Sequence, residues 1–186
     1  MRVTHYSRDD VTGGAARCAL RLHEGLRSIG VDSQMIVARR RGTDPAVKGY
    51  RPTASLGARG RRWLRRRRME SDLRPFLRHM PEDTELFSDD RAPLQDEPLS
   101  EAGGSDLINL HWISGFLDVE AVLGSCSAER PIVWTLHDMN LFTGGCHYDR
   151  GCARFLDSCG QCPQLGSVRS RDLSSEVLER KRRALE

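Results

Sequence analysis

The chain opens on MRVTHYS, an alternation of apolar and polar residues that suits a β-strand. It continues as VTGGAARCALRLHEGLRSIG, in which Ala16, Ala19, Leu20, Leu22, Leu26 and Ile29 recur at mostly helical spacing before Gly30 offers a stop. VDSQMIVA then reads as a second strand. Residues 1–38 are thus predicted as strand, Gly-rich turn, helix, strand, the unit from which parallel sheets are wound. Similar order returns beyond residue 104. DLINLHWI and PIVWTLHD are short runs rich in Ile, Val and Leu that suit buried parallel strands, with the helical DVEAVLGSC between them. DLSSEVLERKRRALE is predicted as a last helix, capped by Asp172 or Ser174. In the stretch 39–104, where Pro, Gly and charge are frequent, the pattern predicts one helix over 56–77, interrupted near Pro75. That stretch is read as an Arg-rich, weakly ordered insertion. The expected fold class is α/β: a Rossmann-like parallel sheet flanked by helices, in a single domain over 1–186.

Composition agrees with one domain. The 186 residues, 38% hydrophobic and 30% charged, suffice for one core and are too few for two ordinary ones. No run of about 18 apolar residues is present, and the N-terminus lacks the apolar stretch of a secretory signal, so a cytoplasmic location is expected. There the six cysteines would stay reduced and act as metal ligands or free thiols. Net charge is only +3, but Arg59–Arg68 (RGRRWLRRRR) holds seven Arg in ten positions. This run is read as a solvated helix face, as a surface for anionic lipid with Trp63 and Leu64 at the interface, or as a nucleic-acid patch. Trp63 is the only base-stacking aromatic within it, so no nucleic acid is expected as a partner.

Candidate chemistry collects where a parallel sheet would place it, at the carboxyl ends of strands. Gly13 and Gly14 follow the first strand, where backbone amides and a helix N-terminus can meet an anion. A plain turn is the alternative, because the GxGxxG fingerprint is absent. His111 ends one apolar run, and His137 with Asp138 ends the next. Asp138 is placed either to orient the His137 imidazole or to cap a helix. No GxSxG, HExxH or GxxxxGK[ST] motif occurs, which leaves a cleft for an anionic or hydroxyl-rich ligand. Cys146, Cys152, Cys159 and Cys162 form a Cx5Cx6CxxC pattern in the Cys-rich loop 146–162. Structural zinc is the first reading of that loop, with His147 as a possible substitute ligand; free thiols, an iron–sulfur cluster or a regulatory disulfide are the others. Cys18 and Cys126, in predicted helices, are expected to be buried. Trp112 and Trp134 are expected in the core or the cleft wall.

Three phrases, GGAARCALRLHEGLRSIGVDSQMIV, DLINLHWISGFL and PIVWTLHDMNLFTGGCHYDRGCARFLDSCGQCPQL, resemble the N-terminal half of family 4 glycosyltransferases of the exopolysaccharide and colanic-acid type. The resemblance spans residues 1–38 and about 104–186. It implies the acceptor-side half of a GT-B fold, and a retaining transfer of sugar from a nucleotide-sugar to a polysaccharide or lipid-linked acceptor without a catalytic metal. Gly13 and Gly14 would line the donor diphosphate. His137 would face the transferred sugar, Asp138 would support it, and His111 is a further substrate-binding candidate. Asn140 and Leu141 stand where the family phrase carries Trp and Pro. The C-terminal donor domain of the family is not in this sequence, so the chain alone is expected to be inactive without a donor domain in cis or trans. The reading from another class is a non-catalytic, zinc-stapled module that binds a glycan or a partner protein.

Overall fold

A computed structural model of the chain describes residues 1–82, 87–125 and 130–186. Five strands, β1 (Arg2–Asp9), β2 (Asp32–Arg39), β3 (Val47–Gly49), β4 (Leu107–Leu110) and β5 (Ile132–Trp134), form one sheet. Their order is β3-β2-β1-β4-β5 and every pairing is parallel, as in the first five strands of a doubly wound sheet. Four α-helices accompany them: α1 (Gly14–Ser28), α2 (Leu56–Leu73), α3 (Val119–Gly124) and α4 (Leu173–Leu185).

Alternation along β1 divides the interior in two. Tyr6 points into a core with Ile36, Ile108, Leu110, Phe116 and Val122. The second cluster, Ala19 with Met35, Val37 and Val47, lies between α1 and the sheet. α1 ends as its sequence predicts: Gly30 takes φ +83, its amide donates to the Arg27 carbonyl and the Val31 amide donates to the Leu26 carbonyl. This paired closure needs a residue that tolerates the left-handed region.

The other predicted helices are present with their caps. Ser55 accepts from the Ala58 amide at the start of α2, and Asp118 accepts from the Ala121 amide at the start of α3. Asp172 and Ser175 form a reciprocal capping box on α4. Two details differ from the sequence reading. Residues 39–104 contain β3, an edge strand of the sheet, in addition to α2. β5 is three residues long and half-exposed at the other edge, because β4 alone pairs with it among the described residues.

α4 anchors segments that follow β5 and one that precedes β4. Its Lys181 is fully buried, and its ammonium donates to the Asn140 and Thr143 carbonyls and the Asn140 side-chain oxygen. Burial lowers that ammonium to about 8, and the surrounding acceptors keep it satisfied. One residue earlier, Arg180 pairs with Asp90 at 2.5 Å and Asp89 at 3.3 Å. One residue later, Arg182 donates to the carbonyls of Phe155 and Asp157.

Among the described residues no helix is long and apolar enough to cross a membrane. On α2, Ala58, Arg62, Arg65 and Met69 turn toward the protein, whereas Trp63, Leu64, Arg59, Arg61 and Arg66–Arg68 are exposed. Arg62 is held by Glu97 and the Thr53 carbonyl, and Arg65 by the Pro93 carbonyl.

Candidate functional site

The carboxyl ends of β1 and β5 open onto one cleft of about 420 Å³, lined by Ser7, Asp9, Gly13, Gly14, His137 and Tyr148 among others. Four residues singled out in the sequence therefore meet: Gly13 and Gly14 on one wall, His137 and Asp138 on the other. Gly13 takes φ +89, and a Cβ on either glycine would meet open space. Gly13, the N-cap of α1, has no side chain to cap it and no acid occupies the first turn, so among the described residues the amides of its first residues remain free for an external acceptor. The carboxylate of Asp9 lies in the same cleft, a group that suits ligand hydroxyls better than phosphate.

His111 does not line this cleft. It is 2% exposed, immediately after β4, and lines the adjoining cavity with Trp112, His137 and Asp138. Its Nδ1 pairs with His137 Nε2 at 3.1 Å, and its Nε2 pairs with His5 Nδ1 at 3.0 Å. The three rings stack in sequence, with neighbouring centroids 5.3 Å apart. His5 is fully buried and meets the edge of His23, whose Nδ1 pairs with Ser33. His5 stands out in the sequence only once register is known: it pairs with Asn109, so His111, two residues on, shares its face. Burial lowers His5 to about 4, with the charge of His23 adding to the effect, and His111 to about 3, with the charges of His5 and His137 adding to it; burial also lowers His137, against the pull of Asp138. All three are neutral at pH 7.

Asp138 supports a different imidazole from the one next to it in sequence. Its Oδ2 accepts from His147 Nδ1 at 2.6 Å and from Trp112 Nε1 at 3.0 Å, while Oδ1 accepts from the Asn140 amide at 2.8 Å. Adjacent side chains diverge, so Asp138 turns away from His137 and fixes the turn that follows it. Burial alone would raise its pKa, but the hydrogen bonds from His147 and the Asn140 amide outweigh burial and lower it. His147 Nε2 pairs with Ser88 Oγ at 2.8 Å. Both of its nitrogens are engaged, so it is not free to replace a cysteine as a ligand. Trp112 and Trp134 are half-buried in the wall beside His137, and the Trp134 indole donates to the His111 carbonyl.

Cys146, Cys152, Cys159 and Cys162 line one cavity of about 30 Å³. The loop is stitched to the start of α4: the Cys162 amide donates to Asp172, and the Gly160 amide donates to Ser174. A Cβ on Gly144 or Gly160 would collide with the Ser174 or Ser170 carbonyl, so the backbone there is packed too closely for any side chain. Burial pushes the Cys159 thiol up to about 11, and the charges of the other three cysteines act in the same direction. Among the described residues no group of three or more His, Cys, Asp or Glu is disposed to hold a metal ion as placed. Cys18, expected inside, is exposed because α1 turns it away from the sheet; Cys126 lies outside the described residues. No protein family, curated protein or solved structure matches the chain.

The buried imidazoles give the fold an acid sensitivity of defined sign. An unfolded histidine takes up its proton near pH 6.5, whereas native His5 does so only near 4, so stability falls as pH drops through that window. His5→Phe is expected to remove about one proton from the uptake on unfolding between pH 5 and 6. The pH dependence of urea midpoints for both proteins measures it; equal slopes would show that His5 is not held neutral.

Proposed function

We propose that this chain is the acceptor-side domain of a retaining glycosyltransferase of GT-B architecture. It would act in moving a sugar from a nucleotide diphosphate sugar to a polysaccharide or lipid-linked acceptor. One observation carries the reading: the Gly13–Gly14 loop, the open N-terminus of α1, Asp9 and His137 share one cleft at the carboxyl edge of a parallel sheet. An anionic leaving group and a polyhydroxylated sugar need two kinds of partner, and the two walls offer them. Free amides of the first turn of α1 would take charge developing on the diphosphate. His137 and the Asp9 carboxylate would meet sugar hydroxyls, and Asp138 would hold the His137 segment through His147 and Trp112 rather than touch the sugar.

Gly14 separates binding from folding. It is the first residue of α1 and a side chain there meets nothing, so Gly14→Asp places a carboxylate in the cleft while favouring the helix by roughly 0.5 kcal/mol. The expected outcome is unchanged or slightly raised stability, with nucleoside diphosphate bound about tenfold more weakly by calorimetry, a loss of about 1.4 kcal/mol. Equal affinity in both proteins would place the diphosphate elsewhere. Binding of a glycan with no affinity for any nucleotide would favour the non-catalytic module.

The same reading includes structural zinc at Cys146, Cys152, Cys159 and Cys162. Four thiols around one small cavity are a donor set suited to zinc in chemical type, and a loop with little apolar core gains most from such a cross-link. The metal would hold the loop that supplies Tyr148 to the cleft wall. Elemental analysis of reduced protein is expected to give about one zinc per chain. A value far below one would remove the metal from the proposal.

An anionic membrane surface is the partner proposed for α2, where exposed Trp63 and Leu64 lie among outward-facing arginines. Replacing Arg66, Arg67 and Arg68 by Ser leaves the inward contacts of Arg62 and Arg65 intact. It is expected to weaken binding to anionic vesicles by about a hundredfold, at about 1 kcal/mol per charge. Unchanged vesicle binding would exclude α2 as the docking face.

A further inference from the structure

The row of imidazoles is more than packing, because a neutral imidazole carries a single N–H and each link in the row consumes a donor and an acceptor. His111 uses both nitrogens, one toward His5 and one toward His137. Its N–H can point only one way. If His111 Nδ1 donates to His137 Nε2, then His111 Nε2 must accept from His5 Nδ1, and His5 Nε2 is left without a proton. In the opposite arrangement His137 Nε2 donates to His111, His111 donates to His5, and His5 Nε2 carries an N–H.

The buried end of the row decides between them. His5 Nε2 is fully enclosed and has no hydrogen-bond partner among the described residues. Among backbone groups, an orphaned buried N–H is rarer than an under-satisfied acceptor, and extending that preference to the enclosed His5 Nε2 leaves it bare.

We propose that His5 and His111 are positioning residues that hold His137 as its Nδ1–H tautomer, so that the ring presents a hydrogen-bond donor to the cleft. His137 Nε2 is occupied by His111, and among the described residues its Nδ1 has no protein partner. A ligand oxygen entering the cleft would therefore meet an N–H rather than a basic lone pair. His137 then acts as an orienting donor, not a general base, and the low proton affinity that burial gives all three rings keeps the row neutral. The identity of that oxygen as a sugar or phosphate oxygen rests on the transferase reading; the tautomer does not.

Ring-nitrogen NMR on the uniformly 15N-labelled chain at pH 7 tests this without substrate. His137 is expected to show a protonated, pyrrole-type Nδ1 and an unprotonated, pyridine-type Nε2, and His5 and His111 are expected to show the same tautomer. His111→Phe should release His137 toward the Nε2–H form that free histidine prefers. His111→Gln, whose amide can accept from His5 and donate to His137, should restore Nδ1–H. A wild-type His137 protonated at Nε2 would overturn the proposal, and so would an unchanged Nδ1–H tautomer in a folded His111→Phe variant. Should that variant fail to fold, the wild-type rings still decide: a His111 or His5 protonated at Nε2 would refute the relay. Loss of nucleotide binding with an intact Nδ1–H tautomer would instead contradict the transferase reading alone.

Discussion

Every pairing in this sheet is parallel, so all five strands end at the same edge and each connection to the next strand must start there. That constraint assembles the cleft. The Gly13–Gly14 turn after β1, His111 after β4 and the His137–Asp138 turn after β5 reach the same edge because each ends a strand of like direction. The pairing of β1 with β4 fixes the third dimension. His5 and His111 share a face two residues apart in register, and the row they begin ends at His137 in the open.

The cleft also depends on segments outside the sheet. β5 supplies only three paired residues, too few to fix the turns beyond it. α4 makes up that deficit with Lys181, directed to the Asn140–Thr143 turn, and Arg182, directed to the Phe155–Asp157 segment, while Arg180 ties the same helix to Asp89 and Asp90 ahead of β4. Lys181 is the most exacting of them. Its buried ammonium is tolerable only while the Asn140 and Thr143 oxygens surround it, so helix and turn order one another. Asp138 starts that turn, and its bonds to Trp112 and His147 tie β4, β5 and the Cys-rich loop together.

Much of this was legible in the sequence wherever period and punctuation agreed. β1, α1 and β2 follow from alternation, helical spacing and the stop at Gly30, and α4 from its acidic cap. β3 was not legible because it is three residues long and buries only Val47, which leaves no period to detect. β5 has the composition of a buried strand yet lies half-exposed at an edge, because composition does not reveal strand order. The glycines, His137 and Asp138 could be placed on one edge from topology alone. The partner of Asp138 could not, since His147 returns to it through an irregular loop held by Ser88 and Trp112. His5 carried no signal of its own. It reads as one polar residue of an alternating strand until β4 is laid beside it.

The most direct measurement is a titration of the 15N-labelled chain with a nucleoside diphosphate, following backbone amides and histidine rings together. The account predicts saturable shifts at the amides of Gly14, Ala15 and Ala16 and at the His137 ring, the two walls of one cleft. Saturable shifts confined to another surface, or none at these residues, would contradict it.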